Sequence, residues 1–470
     1  MITSSAFFGK RYAVYGLARS GLATVEALLA SGASVMAWDE KEEARAQLAS
    51  LRAERVGRGT TEGGGGVSDA ASPVTPPPGS AWSPSPSDDG EALRIADPLS
   101  TSLYGFAGLV VSPGVPINRH PIARRAREAK VPLIGDIELF AQARASLPPH
   151  KVVGITGTNG KSTTTALVHH ILKTAGIPTT MGGNIGLPIL AQDPLTPNDR
   201  GVGVYVLELS SYQIDLTQSL DCNVAVLLNV TPDHLDRYED MDDYAASKAR
   251  LFTMQSPDHA AVIAAEDDYT RAVAGQVEGR KLLVSSAQVK DQSRWPSLQG
   301  PHNAQNVAAA VAVARELGVS DAAIARGLET YPGLPHRMER VRDKDGVLFV
   351  NDSKATNPEA AAPALAAYPA VHWILGGRAK GEDLGPCEDQ LDHVRAAYTI
   401  GEAGPMFAKL LRKRVPVAEC GVLEAAVSEA AGAAEVGEVV LLSPACASFD
   451  QFRDYEARGA AFRAAVEALP

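Results

Sequence analysis

The sequence predicts an α/β protein of several domains built on mainly parallel sheets, and three observations predict it. Short β-rich runs alternate with Ala-rich helical stretches along the chain, the pattern that parallel sheets with crossover helices require. The unusual polar residues, Asp39, Gly157 to Ser162, Glu208, Asp352, Lys380 and Ser448, fall just beyond such runs, where ligands gather in these sheets. A length of 470 residues allows about three domains, each able to bury its own core.

Taken in order, "RYAVYG" leads to "LARSGLATVEALLASG" and then to "SVMAWD". "KVVGIT" leads to "GKSTTTALVHHILKTAG", whose Gly176 makes a natural helix stop. Further strands are expected at "VYVLEL", "NVAVLLNV", "GVLFVN", "HWILGG", "AAYTIG" and "EVVLLS". The expected divisions are 1–140, 141–333 and 334–470, cut after "GDIELF" and "ETYPGL". One composition break interrupts the first: residues 57–91 are Gly, Pro and Ser with almost nothing to bury, read as a flexible insertion rather than an ordered lid.

Composition narrows the function classes. At 45% hydrophobic and 21% charged, the chain reads as a soluble globular enzyme. A net charge of -11 argues against broad nucleic-acid or membrane binding, so an anionic ligand must be held by local groups. Cys222, Cys387, Cys420 and Cys446 are far apart and form no C-x-x-C, which fits a reducing cytoplasm and no structural zinc. No signal-peptide pattern or membrane-spanning run is present, and a cytoplasmic protein is expected.

The stretch "VVGITGTNGKSTTT" resembles a nucleotide-phosphate loop, although Ile155 stands where the strict G-x-x-x-x-G-K-[ST] pattern has its first glycine. Gly157 and Gly160 let main-chain N–H groups approach phosphate oxygens at a helix N-terminus. Lys161 offers a point charge to the outer phosphates and Ser162 a hydroxyl to Mg²⁺. A second turn, "GLARSG", has Gly16 and Gly21 with Asp39 after the next strand, but Ala18 replaces the middle glycine of a dinucleotide fingerprint. That turn leaves a dinucleotide, a different nucleotide and simple packing open. Arg19 and Ser20 are placed to meet a diphosphate from the side.

Glu208 ends a strongly β-forming run, where it is either a metal ligand or an edge-exposed acid. His234 follows another strand, and Lys248 lies on the next helical segment, where a solvated lysine is the ordinary outcome. Their grouping after adjacent strands raises the metal reading, because Mg²⁺ needs only one or two carboxylates beside phosphate oxygens and water.

The motifs "GITGTNGKSTTT", "GGNIG", "LELSSYQ", "NVTPDHLDRY", "GPHNAQN", "GLPHRME", "NDSKATNP" and "LLSPACASFDQF" together resemble the series of the Mur ligases of peptidoglycan synthesis. The resemblance runs from Tyr12 to the C-terminal helix. "GTNGKS" is shared with folylpolyglutamate synthases, whereas "GDIELF", "NDSKATN" and "SPACASFDQF" point to the D-glutamate-adding members. The segment from Arg52 to Glu91 is longer than the family needs.

The resemblance implies a Rossmann-like N-terminal domain for the UDP-sugar, a P-loop ATPase domain and a Rossmann-like C-terminal domain for the amino acid. It implies ATP-dependent joining of D-glutamate to UDP-N-acetylmuramoyl-L-alanine through an acyl phosphate, by a monomer using two Mg²⁺ ions. On this reading Gly157, Thr158, Asn159, Gly160, Lys161, Ser162, Thr163, Asn303, Asn306, Arg337 and Asp352 bind ATP. Ser162, Glu208, His234 and a carbamylated Lys248 meet Mg²⁺, and Lys161, Glu208, His234 and Lys248 are catalytic. Arg19, Ser20, Asp39, Ser112, Gly114, Asn184 and His234 bind the UDP-sugar. Thr356, Lys380, Ser448, Phe449 and Tyr455 bind D-glutamate. Another Mur step or folate polyglutamylation is the nearest alternative, and a nicotinamide-dependent oxidoreductase built on "GLARSG" is the alternative from another class.

Overall fold

The computed structural model describes residues 1–48, 92–233 and 236–470. The Gly/Pro/Ser insertion and His234 lie outside the described residues. The described chain forms two compact units, Met1–His150 with Gly182–Thr196 and Ser210–Asp221, and Lys151–Met181 with Pro197–Leu209 and Cys222–Pro470.

The first unit holds a five-stranded sheet of β1 (Arg11–Tyr15), β2 (Ser34–Trp38), β3 (Leu93–Ile95), β4 (Gly108–Val111) and β5 (Leu133–Ile134), in the order β3-β2-β1-β4-β5. Every pairing in it is parallel. Successive strands run outward to opposite sides of β1, so the switch point lies beyond the carboxyl ends of β1 and β4. Tyr12 to Tyr15 and all of β4 are buried, as expected of strands covered on both faces.

A second sheet contains β6 (His150–Thr156), β7 (Thr179–Gly183), β8 (Gly203–Glu208), β9 (Val224–Leu227), β10 (Ala260–Ala264) and β11 (Arg280–Val284), ordered β11-β10-β9-β6-β8-β7. The chain again leaves its central strand at a switch, with β9 on one side of β6 and β8 on the other. Helix Lys161–Thr174 covers it, burying Leu167, Val168, Ile171 and Leu172 at helical spacing. Each such side chain contributes about 1.5–3 kcal/mol. The helix ends at the expected residue: Gly176 takes φ +79°, and the N–H groups of Gly176 and Ile177 satisfy the last carbonyls.

The third sheet, also in the second unit, has the order β12-β13-β17-β14-β15-β16. Its strands are β12 (Glu339–Lys344), β13 (Val347–Asn351), β14 (Val371–Gly376), β15 (Val394–Ile400), β16 (Val417–Gly421) and β17 (Val439–Leu442). Four pairings are parallel, but β12 and β13 form an antiparallel hairpin closed by Asp345 and Gly346, both at positive φ. That hairpin departs from the parallel pattern because an Asp-Gly pair favours the tight turn whose twist matches the flanking strands.

Candidate active site

The phosphate loop follows buried β6 and ends at helix Lys161–Thr174. Gly160 sits at φ +82°, and a Cβ there would lie 2.2 Å from Asn306 Oδ1, so the loop has no room for a side chain. Asn229 fastens the loop from outside: its carbonyl accepts the Thr158 N–H and its Oδ1 the Asn159 N–H, both at 2.8 Å. The Lys161 ammonium donates to the carbonyls of Gly157 and Thr158 at 3.0 and 2.7 Å.

Lys248 is only 1% exposed, so it is not the solvated helix lysine its position alone would favour. Its Nζ donates to the same Gly157 carbonyl at 3.0 Å and lies 4.3 Å from the Tyr244 ring centre. Glu208 is likewise buried at 2% exposure, which disposes of the edge-exposed reading. Its charge reaches Lys161, whose pKa burial lowers, Glu208 raises and Arg337 lowers again.

Arg337 lies between two strained residues, His336 at φ +61° and Met338 at φ +49°. Its Nη2 donates to Ser162 Oγ at 2.7 Å. Asp352 steadies this segment by accepting the Met338 N–H at 3.2 Å and the Ser443 hydroxyl at 2.9 Å. Burial pushes the Asp352 pKa up to about 7, against the opposing pull of those hydrogen bonds and of Arg337. Asn306 donates to Asn303 Oδ1 at 3.1 Å and accepts from Thr164 at 3.2 Å, so both asparagines are buried and fixed.

A cavity of about 600 Å³ opens among Asn159, Gly160, Thr163, Asn303, Asn306, Arg337, Asp352 and Lys354. Lys354 was not anticipated as a site residue. Burial and then Arg337 push its pKa down to about 8, while Glu456 and Glu208 pull it up. It lies within "NDSKATN", two residues beyond an aspartate at a strand end, and that placement was the available signal. Asn229 had a similar one, a polar residue just after an apolar strand.

An Mg²⁺ ion fits the donors present. The Ser162 hydroxyl and the buried Glu208 carboxylate are hard oxygens, and phosphate oxygens with water complete such a shell. Among the described residues no three His, Cys, Asp or Glu side chains gather to hold a metal unaided. Lys248 joins the set only as an anionic derivative, since its ammonium offers no lone pair.

The residues expected to bind an amino acid lie past the carboxyl ends of the third sheet. Backbone hydrogen bonds of 2.9 and 3.0 Å between Arg378 and Ala447 bring the Lys380 and Ser448 loops side by side. Ser448 is buried, Lys380 is exposed, Thr356 is half-buried and Phe449 is 64% exposed. Tyr455 begins the last helix, with Lys354 Nζ 3.8 Å from its ring centre.

In the first unit, Asp39 Oδ2 accepts the Leu17 N–H at 2.6 Å and the Ser112 hydroxyl donates to the Gly16 carbonyl at 2.9 Å. Arg19 donates to the Gly186 carbonyl at 3.2 Å, joining the turn to the loop that carries Asn184. Ser20 is half-buried at the helix start, and Gly114 faces open space. Gly21 is required, because a Cβ would fall 1.9 Å from the Gly16 carbonyl oxygen. The outer two glycine roles of a dinucleotide turn are therefore filled, but Ala18 keeps the middle approach closed. Tyr15, Glu40 and His120 add an unforeseen polar cluster beside Asp39, with the Tyr15 hydroxyl 2.8 Å from Glu40 and 3.1 Å from His120.

The family model for the Mur ligase middle domain matches residues 155–297, and that for the Mur ligase glutamate ligase domain matches residues 336–446. The chain is 57% identical over 474 residues to the UDP-N-acetylmuramoylalanine–D-glutamate ligase of Novosphingobium aromaticivorans, covering 100% of this chain and 97% of that one. It is 56% identical over 476 residues to the protein of the same name from Sphingopyxis alaskensis, covering 100% of both. The fold is similar to the UDP-N-acetylmuramate-alanine ligase of Thermotoga maritima, with a TM-score of 0.52 at 16% identity over 98% of this chain and 99% of that one. A bifunctional folylpolyglutamate synthase/dihydrofolate synthase from Yersinia pestis gives 0.50 at 20% identity, over 70% and 92%.

Proposed function

The chain belongs to the Mur ligases, and from that premise we propose that it joins D-glutamate to UDP-N-acetylmuramoyl-L-alanine, driven by ATP, in peptidoglycan precursor synthesis. One observation carries the local chemistry: Arg337 is bonded to Ser162 beside the loop lysine Lys161, and it lines one cavity together with Lys354. Burial, and after it repulsion by Arg337, depresses both lysine pKa values. A polyphosphate relieves that repulsion, and the loop amides and helix N-terminus add donors for it.

A carboxylate resists an amine until one of its oxygens becomes a good leaving group. A carboxylate oxygen of the nucleotide substrate attacks the γ-phosphorus and ADP leaves. The D-glutamate nitrogen then attacks the acyl carbon and gives up a proton, and the tetrahedral intermediate expels phosphate carrying that same oxygen. Lys161 and Arg337 hold the phosphates through transfer, where charge is spread over the moving oxygens. Asn303, Asn306 and Asp352 line the nucleotide cavity. Mg²⁺, held by Ser162 and Glu208 and at a second ion by His234 and carbamylated Lys248, would offset phosphate charge.

Thr356, Lys380, Ser448, Phe449 and Tyr455 are assigned to the amino acid, and Arg19, Ser20, Asp39, Ser112, Gly114 and Asn184 to the UDP-sugar. The assignment divides the chain near residues 140 and 333 and gives a cytoplasmic monomer. The placement of these groups beyond strand carboxyl ends supports the ligand assignments; among the described residues no helix is long and apolar enough to cross a membrane. Purified protein should release phosphate only when Mg²⁺, ATP, the UDP-sugar peptide and D-glutamate are all present. Equal or faster turnover with L-alanine or a diamino acid would overturn the substrate assignment.

A further inference from the structure

Arg458, on the last helix, is 1% exposed and forms no ion pair among the described residues. Among the described residues its guanidinium is bonded only to neutral oxygens. Nε donates to the Ser353 hydroxyl at 3.0 Å, and Nη2 donates to the carbonyls of Ser353 and Cys446 at 2.9 and 3.0 Å. Nη1 reaches the Gly376 carbonyl at 3.5 Å. Burial lowers its pKa to about 10, with only Cys446 and Asp450 acting in the other direction.

A buried cation without a carboxylate is costly, and an apolar side chain of similar volume would fill the space more cheaply. What an apolar side chain cannot do is tie the three loops together. Ser353 adjoins Lys354 and precedes Thr356, Gly376 opens the loop that carries Lys380, and Cys446 precedes Ser448. The Ser353 hydroxyl in turn donates to the Tyr455 carbonyl at 2.9 Å, closing the circuit onto the helix that carries Arg458. Every segment assigned to the amino acid therefore meets at this one guanidinium, whose planar fork fixes direction as well as distance.

We propose that Arg458 is the positioning residue of the amino-acid site, setting the spacing of the three loops without touching the amino acid itself. The inference rests on the assignment of those loops to the incoming amino acid. Arg458→Lys keeps the charge but cannot reach all three segments from one ammonium. In a variant that folds, the KM for D-glutamate rises about tenfold or more, while the KM values for ATP and the UDP-sugar peptide stay within about twofold. A residue serving stability alone would lower the melting temperature and disturb all three KM values together, or none.

If Arg458→Lys does not fold, Ser353→Ala serves in its place, removing the Nε acceptor and leaving the guanidinium. The expected result is the same selective rise, smaller in size. A D-glutamate KM within twofold of wild type in whichever variant folds, or an equal rise in all three KM values, overturns the inference. Wild-type protein without D-glutamate-dependent turnover would instead overturn the substrate assignment, and the same KM comparison then uses the amino acid that the wild type does ligate.

Discussion

Arg337→Gln removes one charge from the phosphate site and leaves a shorter, neutral polar side chain. The wild-type guanidinium donates to Ser162 Oγ at 2.7 Å, and a hydrogen bond from a charged donor contributes about 1.5–3 kcal/mol. The phosphate contact assigned to the same guanidinium is a bond of this class, and since 1.36 kcal/mol is tenfold, its loss should lower kcat/KM for ATP about 10- to 150-fold. Burial, and after it the same charge, holds the Lys354 pKa down at about 8. Protonated Lys354 attracts anions, so wild-type kcat/KM should decline as pH rises through about 8. Without Arg337 the Lys354 pKa moves back toward its ordinary value, and the decline shifts to higher pH. Phosphate release measured against ATP concentration from pH 6.5 to 9.5 reads both effects. An unchanged kcat/KM together with an unmoved alkaline limb would refute the coupling of Arg337 to Ser162 and Lys354.

Gly160→Ala sets a methyl group against the fixed Asn306 in a left-handed backbone, which alone costs about 1–2 kcal/mol. Titration with a fluorescent ATP analogue should show affinity lost by about tenfold or more, whereas wild-type affinity would contradict the packing of the loop. Asp352→Asn removes a carboxyl whose folded pKa, about 7, lies above its unfolded value of 3.8. The folded state therefore binds the extra proton between those values, and wild-type stability falls as pH rises through that window. Thermal melts should show the variant gaining relative to wild type from pH 5 to pH 8 while losing turnover; a relative loss at pH 8 would contradict this. Lys248→Ala should lose turnover and regain part of it with added formate or acetate, and full activity without them would rule out a carbamate at this position.

Legibility in the sequence followed burial. Strands such as "VYVLEL" and "HWILGG" are continuous apolar runs because both faces are covered, and they could be read directly. β11, with an exposed edge pattern, and β7, rich in glycine, carry too little apolar signal. The hairpin of β12 and β13 was signalled by Asp345-Gly346, but the surrounding α/β alternation obscured it. Motif residues at strand ends were legible because polar groups there have no packing reason to exist. Arg458 was not, since it acts on backbone carbonyls brought together only by the fold, and the strand-end position of Asn229 gave no sign of the loop amides it binds. Burial of Glu208 and Lys248 likewise emerges from tertiary packing that periodicity alone does not encode.

The most direct test of carboxylate activation follows one oxygen atom. With ¹⁸O in the carboxylate of UDP-N-acetylmuramoyl-L-alanine, turnover with ATP and D-glutamate should place one labelled oxygen in each released phosphate. Unlabelled phosphate accompanying amide product would contradict an acyl phosphate and the chemistry assigned to Lys161, Arg337 and Ser162.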